Sequence, residues 1–217
     1  MARRRIATAL LVYGPLGLLA LAWGGGQGRW NLLLHPDPWA TLSPWLAHIG
    51  SLLGGLGVAV LVLISTRLLV RRTRWARELH LEFRALLGPL SSGQIAILAL
   101  SSGLAEEAFF RGAMQPLAGL PLTALLFGAV HVGRKRSFWV WTAWATLMGF
   151  VFGLLFEITG SLLGPLLAHI LINYENMLYI ESYDPRPPPA PMTPTHSRRV
   201  DAPALIASRV RAGGRSS

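Results

Sequence analysis

Long apolar runs without charge, closed off by clusters of arginine, occupy the chain up to about Ile180. About 20 such residues match the hydrocarbon thickness of a bilayer. In that medium every backbone polar group needs an internal partner, so runs of this kind have to fold as helices. The composition agrees. Of 217 residues 52% are hydrophobic and only 14% are charged, yet the net charge is +10. A soluble nucleic-acid binder could be this basic but would carry far more charge, and a disordered chain would be far less hydrophobic. Cysteine is absent, which excludes disulfides, a thiol nucleophile and thiolate metal ligands. All but one of the basic residues are arginine, a bias of GC-rich coding that we read as bacterial.

The expected architecture is an all-α, polytopic membrane helix bundle of about six spans. The first covers Ile6 to Trp23, preceded by Arg3, Arg4 and Arg5. A signal peptide shares that pattern, but no A-x-A cleavage site follows, so a retained helix is the better reading. Trp23, Trp30, Trp39 and Trp45 bracket a Pro/Gly-containing stretch suited to the bilayer surface. The second span runs from Pro44 to Val70. A basic segment from Arg71 to Arg84, interleaved with Leu, Trp and Phe, reads as an amphipathic helix lying on an anionic inner leaflet. Further spans are expected at Ser92 to Gln115, Leu120 to Val132 (short), Phe138 to Thr159 and Ser161 to Ile180. Pro-rich and then Arg/Ser/Ala-rich sequence follows, read as a disordered tail. The domain reading is therefore 1–91 for two spans and the interfacial helix, 92–180 for a helical core, and 181–217 for the tail.

Charge placement orients the bundle. With both termini in the cytoplasm, eighteen of the twenty basic residues fall on the cytoplasmic side, leaving Arg29 outside and Arg111 within a span. The +10 is thus a topology signal, and nucleic acid is not an expected partner. The expected location is a bacterial inner membrane. There is no internal repeat of the kind that marks many transporters.

Ionisable groups inside a span cost upward of roughly 2.5 kcal/mol, so they are functional candidates by default. Glu106 and Glu107 share one span with Arg111. Glu107 and Arg111, four apart, suit an ion pair on one helix face. Glu106 projects about 100° away, leaving a carboxylate free to act as a base toward water. His131 ends the next run, four residues after Phe127. His169 and Asn173 sit four apart on one face of the last span. Glu157 and Glu175 lie near span ends and read as structural or interfacial. Glu106, His131, His169 and Asn173 could activate water and steady an oxyanion. The first three could equally hold Zn2+, although H-E-x-x-H is missing. No Gly-x-Ser-x-Gly is present, and Ser101, Ser102 and Ser161 have no motif around them.

The order E-E-x-x-x-R, F-x-x-x-H, H-x-x-x-N resembles the CPBP family of intramembrane proteases, which includes the type II CAAX prenyl proteases and bacterial immunity-type proteins. Here it reads Glu106-Glu107…Arg111, Phe127…His131 and His169…Asn173, over roughly Ser92 to Ile180. The resemblance implies an intramembrane endopeptidase acting on a membrane-associated protein or peptide. Glu106 with His131 would polarise the attacking water. His169 and Asn173 would steady the oxyanion, and Glu107 and Arg111 would be the supporting pair. Members have been read both as metalloproteases and as glutamate-type enzymes without a catalytic metal. Asn173, a poor zinc ligand and a good oxyanion donor, favours the second reading. One bacterial branch, the myxobacterial sorting proteases, removes C-terminal tails of surface proteins, and this compact Arg-dominated chain is compatible with it. Two rivals exist. A non-catalytic immunity or scaffold protein would more often have lost a motif residue. An ion or proton carrier would be expected to show paired broken helices.

Overall fold

The computed structural model describes residues 2–133, 135 and 137–186. The chain divides into two units, Met1–Pro185 and Arg186–Ser217, and the described residues all but coincide with the first. The expected disordered tail falls, from residue 187 onward, outside the described residues, as do Arg134 and Arg136. Seven helices make up the described part: α1 (Ala2–Gly26), α2 (Pro44–Arg72), α3 (Arg74–Leu87), α4 (Ser92–Ala118), α5 (Leu120–Ala129), α6 (Ser137–Thr159) and α7 (Leu163–Ser182). There is no β-strand among the described residues, only an isolated antiparallel bridge between Leu34 and Ser161.

Local sequence sets the boundaries. Pro44 opens α2 where its missing N–H is no loss. Ser91 and Gln94 form a reciprocal capping box at the start of α4, with Gln94 N–H donating to Ser91 Oγ (3.3 Å) and Ser91 N–H to Gln94 Oε1 (3.0 Å). Gly119, at φ +78°, turns the chain from α4 into α5, a conformation that disfavours any residue with a Cβ.

Three helices are long and apolar enough to cross a membrane: α1 over Ile6–Gly26, α2 and α6. A fourth span results if α3 and α4, bent by 104° at their junction, are taken together. By length and composition alone, three or four of the six expected spans meet this requirement among the described residues. Helix α5 has ten residues, roughly 15 Å of helix against a hydrocarbon core of about 30 Å. It therefore cannot cross alone. Helix α7 has the length, but it carries His169, Asn173 and Glu175 and is not among the helices apolar enough to cross by composition. The basic amphipathic segment is α3, separated from α2 by a break at Thr73, with Arg71, Arg72 and Arg74 exposed.

Small residues let the helices approach closely. A Cβ on Gly55 of α2 would lie 2.2 Å from the Gly164 carbonyl oxygen of α7, and one on Gly164 would lie 2.0 Å from the Ser51 carbonyl oxygen. Ser51 fastens the crossing. Its hydroxyl donates to Ser161 O (2.7 Å) and accepts from Gly164 N–H (2.9 Å). Without a hydrophobic drive between helices in lipid, close packing and interhelical hydrogen bonds carry association. Helices α5 and α6 meet similarly, at Gly128 against Thr146 and Gly149 against Ala124.

The segment between α1 and α2 is a strap over one end of this assembly. His35 N–H donates to Gly160 O (2.9 Å), Trp39 N–H to Glu157 O (2.7 Å) and Leu162 N–H to Leu33 O (2.9 Å). Arg29, the lone basic residue assigned to the outer side, donates to Gly112 O of α4 (2.9 Å). His35 Nε2 lies 3.5 Å from Glu157 Oε2, and Gln115 Nε2 donates to Glu157 Oε1 (3.0 Å). Glu157 is thus a buried strap anchor, in keeping with its expected structural role.

Burial holds His35 below its ordinary value of about 6.5, outweighing the opposing pull of Glu157 and Asp37. Unfolded chains then bind more protons at this site. Its contribution to stability is complete above about pH 6.5 and is lost as the pH falls toward the lowered value. A thermal melt in detergent at pH 5 and pH 7.5 should show a smaller acid-side loss for His35→Gln than for the wild type. Gly164→Val, which cannot coexist with the Ser51 carbonyl, should destabilise by at least the ~1–3 kcal/mol typical of overpacking. Its melting temperature relative to wild type measures this.

Candidate active site

The polar motif residues sit on α4, in the turn that follows α5, and on α7, and the structure gathers them at and behind one wall of a cavity. Helix α4 is not uniform. Between Glu107 and Met114 its backbone widens into a π-helical segment, in which Gln115 N–H reaches back five residues to Phe110 O. Such segments are frequent at functional sites, and they alter where successive side chains point. The sequence pattern implied a plain helix here. The close approach of Gly112 to Leu32 and the Arg29–Gly112 bond show the strap between α1 and α2 supporting this segment.

Glu107 is fully buried and its Oε1 accepts two hydrogen bonds. Arg111 Nη1 donates at 2.9 Å, as the four-residue spacing predicted, and His169 Nδ1 donates at 2.6 Å. The second bond crosses from α4 to α7 and was not legible from spacing. Arg111 is also buried, and its guanidinium lies 4.2 Å from the Phe127 ring centroid and 5.6 Å from that of Phe152. Rings and carboxylate together replace the water this cation has lost. Phe127 is thus a platform: it touches Arg111 on one side and packs against His131 (4.7 Å) and His169 (6.2 Å) on others.

Both imidazoles are oriented through Nδ1. His131 Nδ1–H donates to Phe127 O at 2.6 Å, since a carbonyl can only accept. His169 Nδ1–H donates to Glu107 by the same reasoning. Each ring therefore turns Nε2 toward Glu106. His169 Nε2 is 3.7 Å and His131 Nε2 is 3.9 Å from Glu106 Oε2. The separations exceed a direct hydrogen bond, and all three groups border the same cavity. Asn173 Nδ2 donates to Ser102 Oγ (3.0 Å).

A cavity of about 720 Å3 opens beside these groups. Glu106, His131, His169, Asn173 and Ser102 lie on its wall, and the rest is mostly apolar, with Phe83 of α3, Trp141, Trp144 and Met148 of α6, and Ala9 and Val12 of α1, although α1 also contributes Arg4 and Thr8. Tyr13 of α1 also lines it and interacts with the Glu106 carboxylate. Sequence reading missed Tyr13, because a lone tyrosine in an apolar run carries no signal until α1 is packed on α4. It missed Ser102 for the same reason.

The residues reserved for Zn2+ were Glu106, His131 and His169. The lone pairs suit a cation, but no group of three His, Cys, Asp or Glu side chains among the described residues has the spacing of a metal site. At about 2 Å from each donor, a zinc ion would require these side chains to close in.

Residues 89–174 match the family model of Type II CAAX prenyl endopeptidase Rce1-like proteins. The matched segment includes every motif residue above. A curated relative, the uncharacterized protein YpbD of Bacillus subtilis (strain 168), is 39% identical over 79 residues. That alignment covers 36% of this chain and 41% of the relative, so the chain spans well under half of the relative's length. No solved structure matches.

Removing Arg111 strands the Glu107 carboxylate in the protein interior. Arg111→Ala should cost about 3–5 kcal/mol, the usual penalty for an orphaned buried charge. Glu106→Gln, which keeps shape and cavity exposure, should accumulate and melt like the wild type. Membrane-fraction yield and a detergent melt compare the two.

Proposed function

We propose that the protein is an intramembrane endopeptidase that hydrolyses a peptide bond near the C-terminus or membrane anchor of a membrane-associated protein. The observation that carries this reading is the convergence of two oriented imidazole Nε2 atoms on Glu106 Oε2, at 3.7 and 3.9 Å, on the wall of an apolar cavity. The Rce1-like segment supports the same reaction class.

In this reading a water molecule sits between Glu106 Oε2 and His131 Nε2. Its oxygen adds to the scissile carbonyl carbon as Glu106 takes its proton. The carbonyl oxygen becomes an oxyanion, met by the Asn173 amide and by His169. Preorganised donors of this kind are what stabilise an oxyanion. Collapse of the tetrahedral intermediate breaks the C–N bond, and the proton held by Glu106 passes to the leaving amine. Glu107, Arg111 and Phe127 orient His169 and take no proton.

The aromatic and aliphatic cavity lining suits a substrate segment delivered from the bilayer. Processing of C-terminal sorting tails is the use we favour. The exposed Arg71, Arg72 and Arg74 beside Trp75 suit contact with an anionic inner leaflet. The bacterial relative supports a bacterial cell membrane as the location.

Membrane proteomes of a deletion strain complemented with wild type or with Glu106→Ala provide the test. Uncleaved C-terminal tails should accumulate only in the deletion and in the Glu106→Ala strain. His131→Ala and His169→Ala should lower processing by at least ~10²-fold, as expected for a general base or an oxyanion donor, while the protein still accumulates. Full processing by all three variants would overturn the reading. Purified enzyme should keep its activity in EDTA and 1,10-phenanthroline. Loss there with recovery on added Zn2+ would shift the mechanism to a metal-dependent one.

A further inference from the structure

Asn173 has a partner that no motif includes. Its Nδ2 donates to Ser102 Oγ at 3.0 Å, across the contact between α7 and α4. The Ser102 hydroxyl hydrogen is committed elsewhere, to Ala99 O one turn back at 3.3 Å. With its proton spent, the Ser102 oxygen can only accept. It therefore selects the NH2 side of the Asn173 amide over the carbonyl side, which a hydroxyl free to rotate would not do. Ser102 is buried, in a stretch where Gly103 presses against Ile170 of α7, so the two helices are held at close range there.

We propose that Ser102 is a positioning residue for Asn173. It fixes the rotation of the amide so that one N–H is held by α4 and the other is presented to the cavity beside Glu106 and His169. This inference rests on the oxyanion role proposed for Asn173. An amide free to flip would present its carbonyl oxygen to the developing negative charge for part of the time and oppose the reaction. Preorganisation of the donor is what makes an oxyanion site effective. Ser102 thus reaches the reaction only through Asn173. The simpler alternative is that Ser102 merely fastens two helices, and the two roles differ in what they predict.

The chain has three asparagines, Asn31, Asn173 and Asn176. Asparagine-labelled 15N protein in lipid nanodiscs therefore gives three side-chain NH2 pairs, and Asn173→Ala identifies the one of interest. In the wild type its two protons should be well separated in shift. Ser102→Ala should bring them together, and Ser102→Thr, which keeps the hydroxyl, should restore the separation. If Ser102→Ala does not accumulate, Ser102→Cys keeps the shape with a weaker acceptor and should move the pair the same way. An Asn173 pair unchanged by loss of the hydroxyl overturns the proposal.

Kinetics on a quenched-fluorescence peptide copied from a C-terminal tail that accumulates uncleaved in the deletion strain, with the full chain in liposomes, provide the second arm. Ser102→Ala should lower kcat roughly tenfold, less than the ~10²-fold expected for removing the donor itself, with KM unchanged. In the Asn173→Ala background it should cost nothing more. An equal loss in both backgrounds would make Ser102 a structural fastener and overturn the proposal. If Asn173→Ala turns over the peptide normally, the oxyanion reading fails instead, and the NH2 signals still decide whether Ser102 orients the amide.

Discussion

One carboxylate organises the polar interior. Glu107 Oε1 holds Arg111 on its own helix and His169 on α7, all three away from water. A charge in such a place is tolerated only if partners compensate it, and losing one partner leaves the others exposed to the full cost of desolvation. Because the partners sit on two helices, the same compensation sets the rotation of α7 against α4. That rotation carries His169 Nε2 toward Glu106 and brings Asn173 to Ser102. Phe127 extends the arrangement to α5 by lying against Arg111 and both histidines. The site residues are therefore consequences of one buried ion pair and the rings around it.

The rest of the fold serves to hold that pair at the right depth. In lipid, apolar side chains gain little by touching one another, so the bundle relies on close backbone contacts and on hydroxyls that bridge helices. Gly55, Gly164 and Ser51 join α2 to α7, and the strap from Arg29 to Ala40 ties the far end of α6 and α4. The exposed leucines of α1 and α2 face outward, where a bilayer would accept them. The cavity lies between α1, α3 and this core. Most of its wall is apolar, with the polar groups of the site set among aromatic and aliphatic side chains.

Much of this was readable as pattern. Apolar runs near Ile6, Pro44 and Phe138 located α1, α2 and α6, since a run of that length has only one way to satisfy its backbone in lipid. The four-residue spacing of Glu107 and Arg111 located their ion pair. The number of crossings was not readable in the same way, because the basic clusters at Arg71–Arg84 and Arg134–Arg136 score sides and not spans. A ten-residue apolar run such as α5 can be a buried helix as easily as a crossing. The π-helical widening after Glu107 has no sequence signature, and neither does the Tyr13 contact with Glu106.

The sequence by itself determined an all-α membrane chain, its long apolar helices, and which polar residues are out of place in it. Those follow from local rules: hydrogen-bond satisfaction, helical periodicity and the cost of charge in an apolar medium. The tertiary structure decided which out-of-place residues meet. Glu107 with His169, both imidazole Nε2 atoms with Glu106, and Asn173 with Ser102 are contacts between residues 25 to 71 positions apart. No local rule specifies them, because each depends on the rotation of one helix against another, and that rotation is set by shape, small-residue contacts and compensation of buried charge acting together.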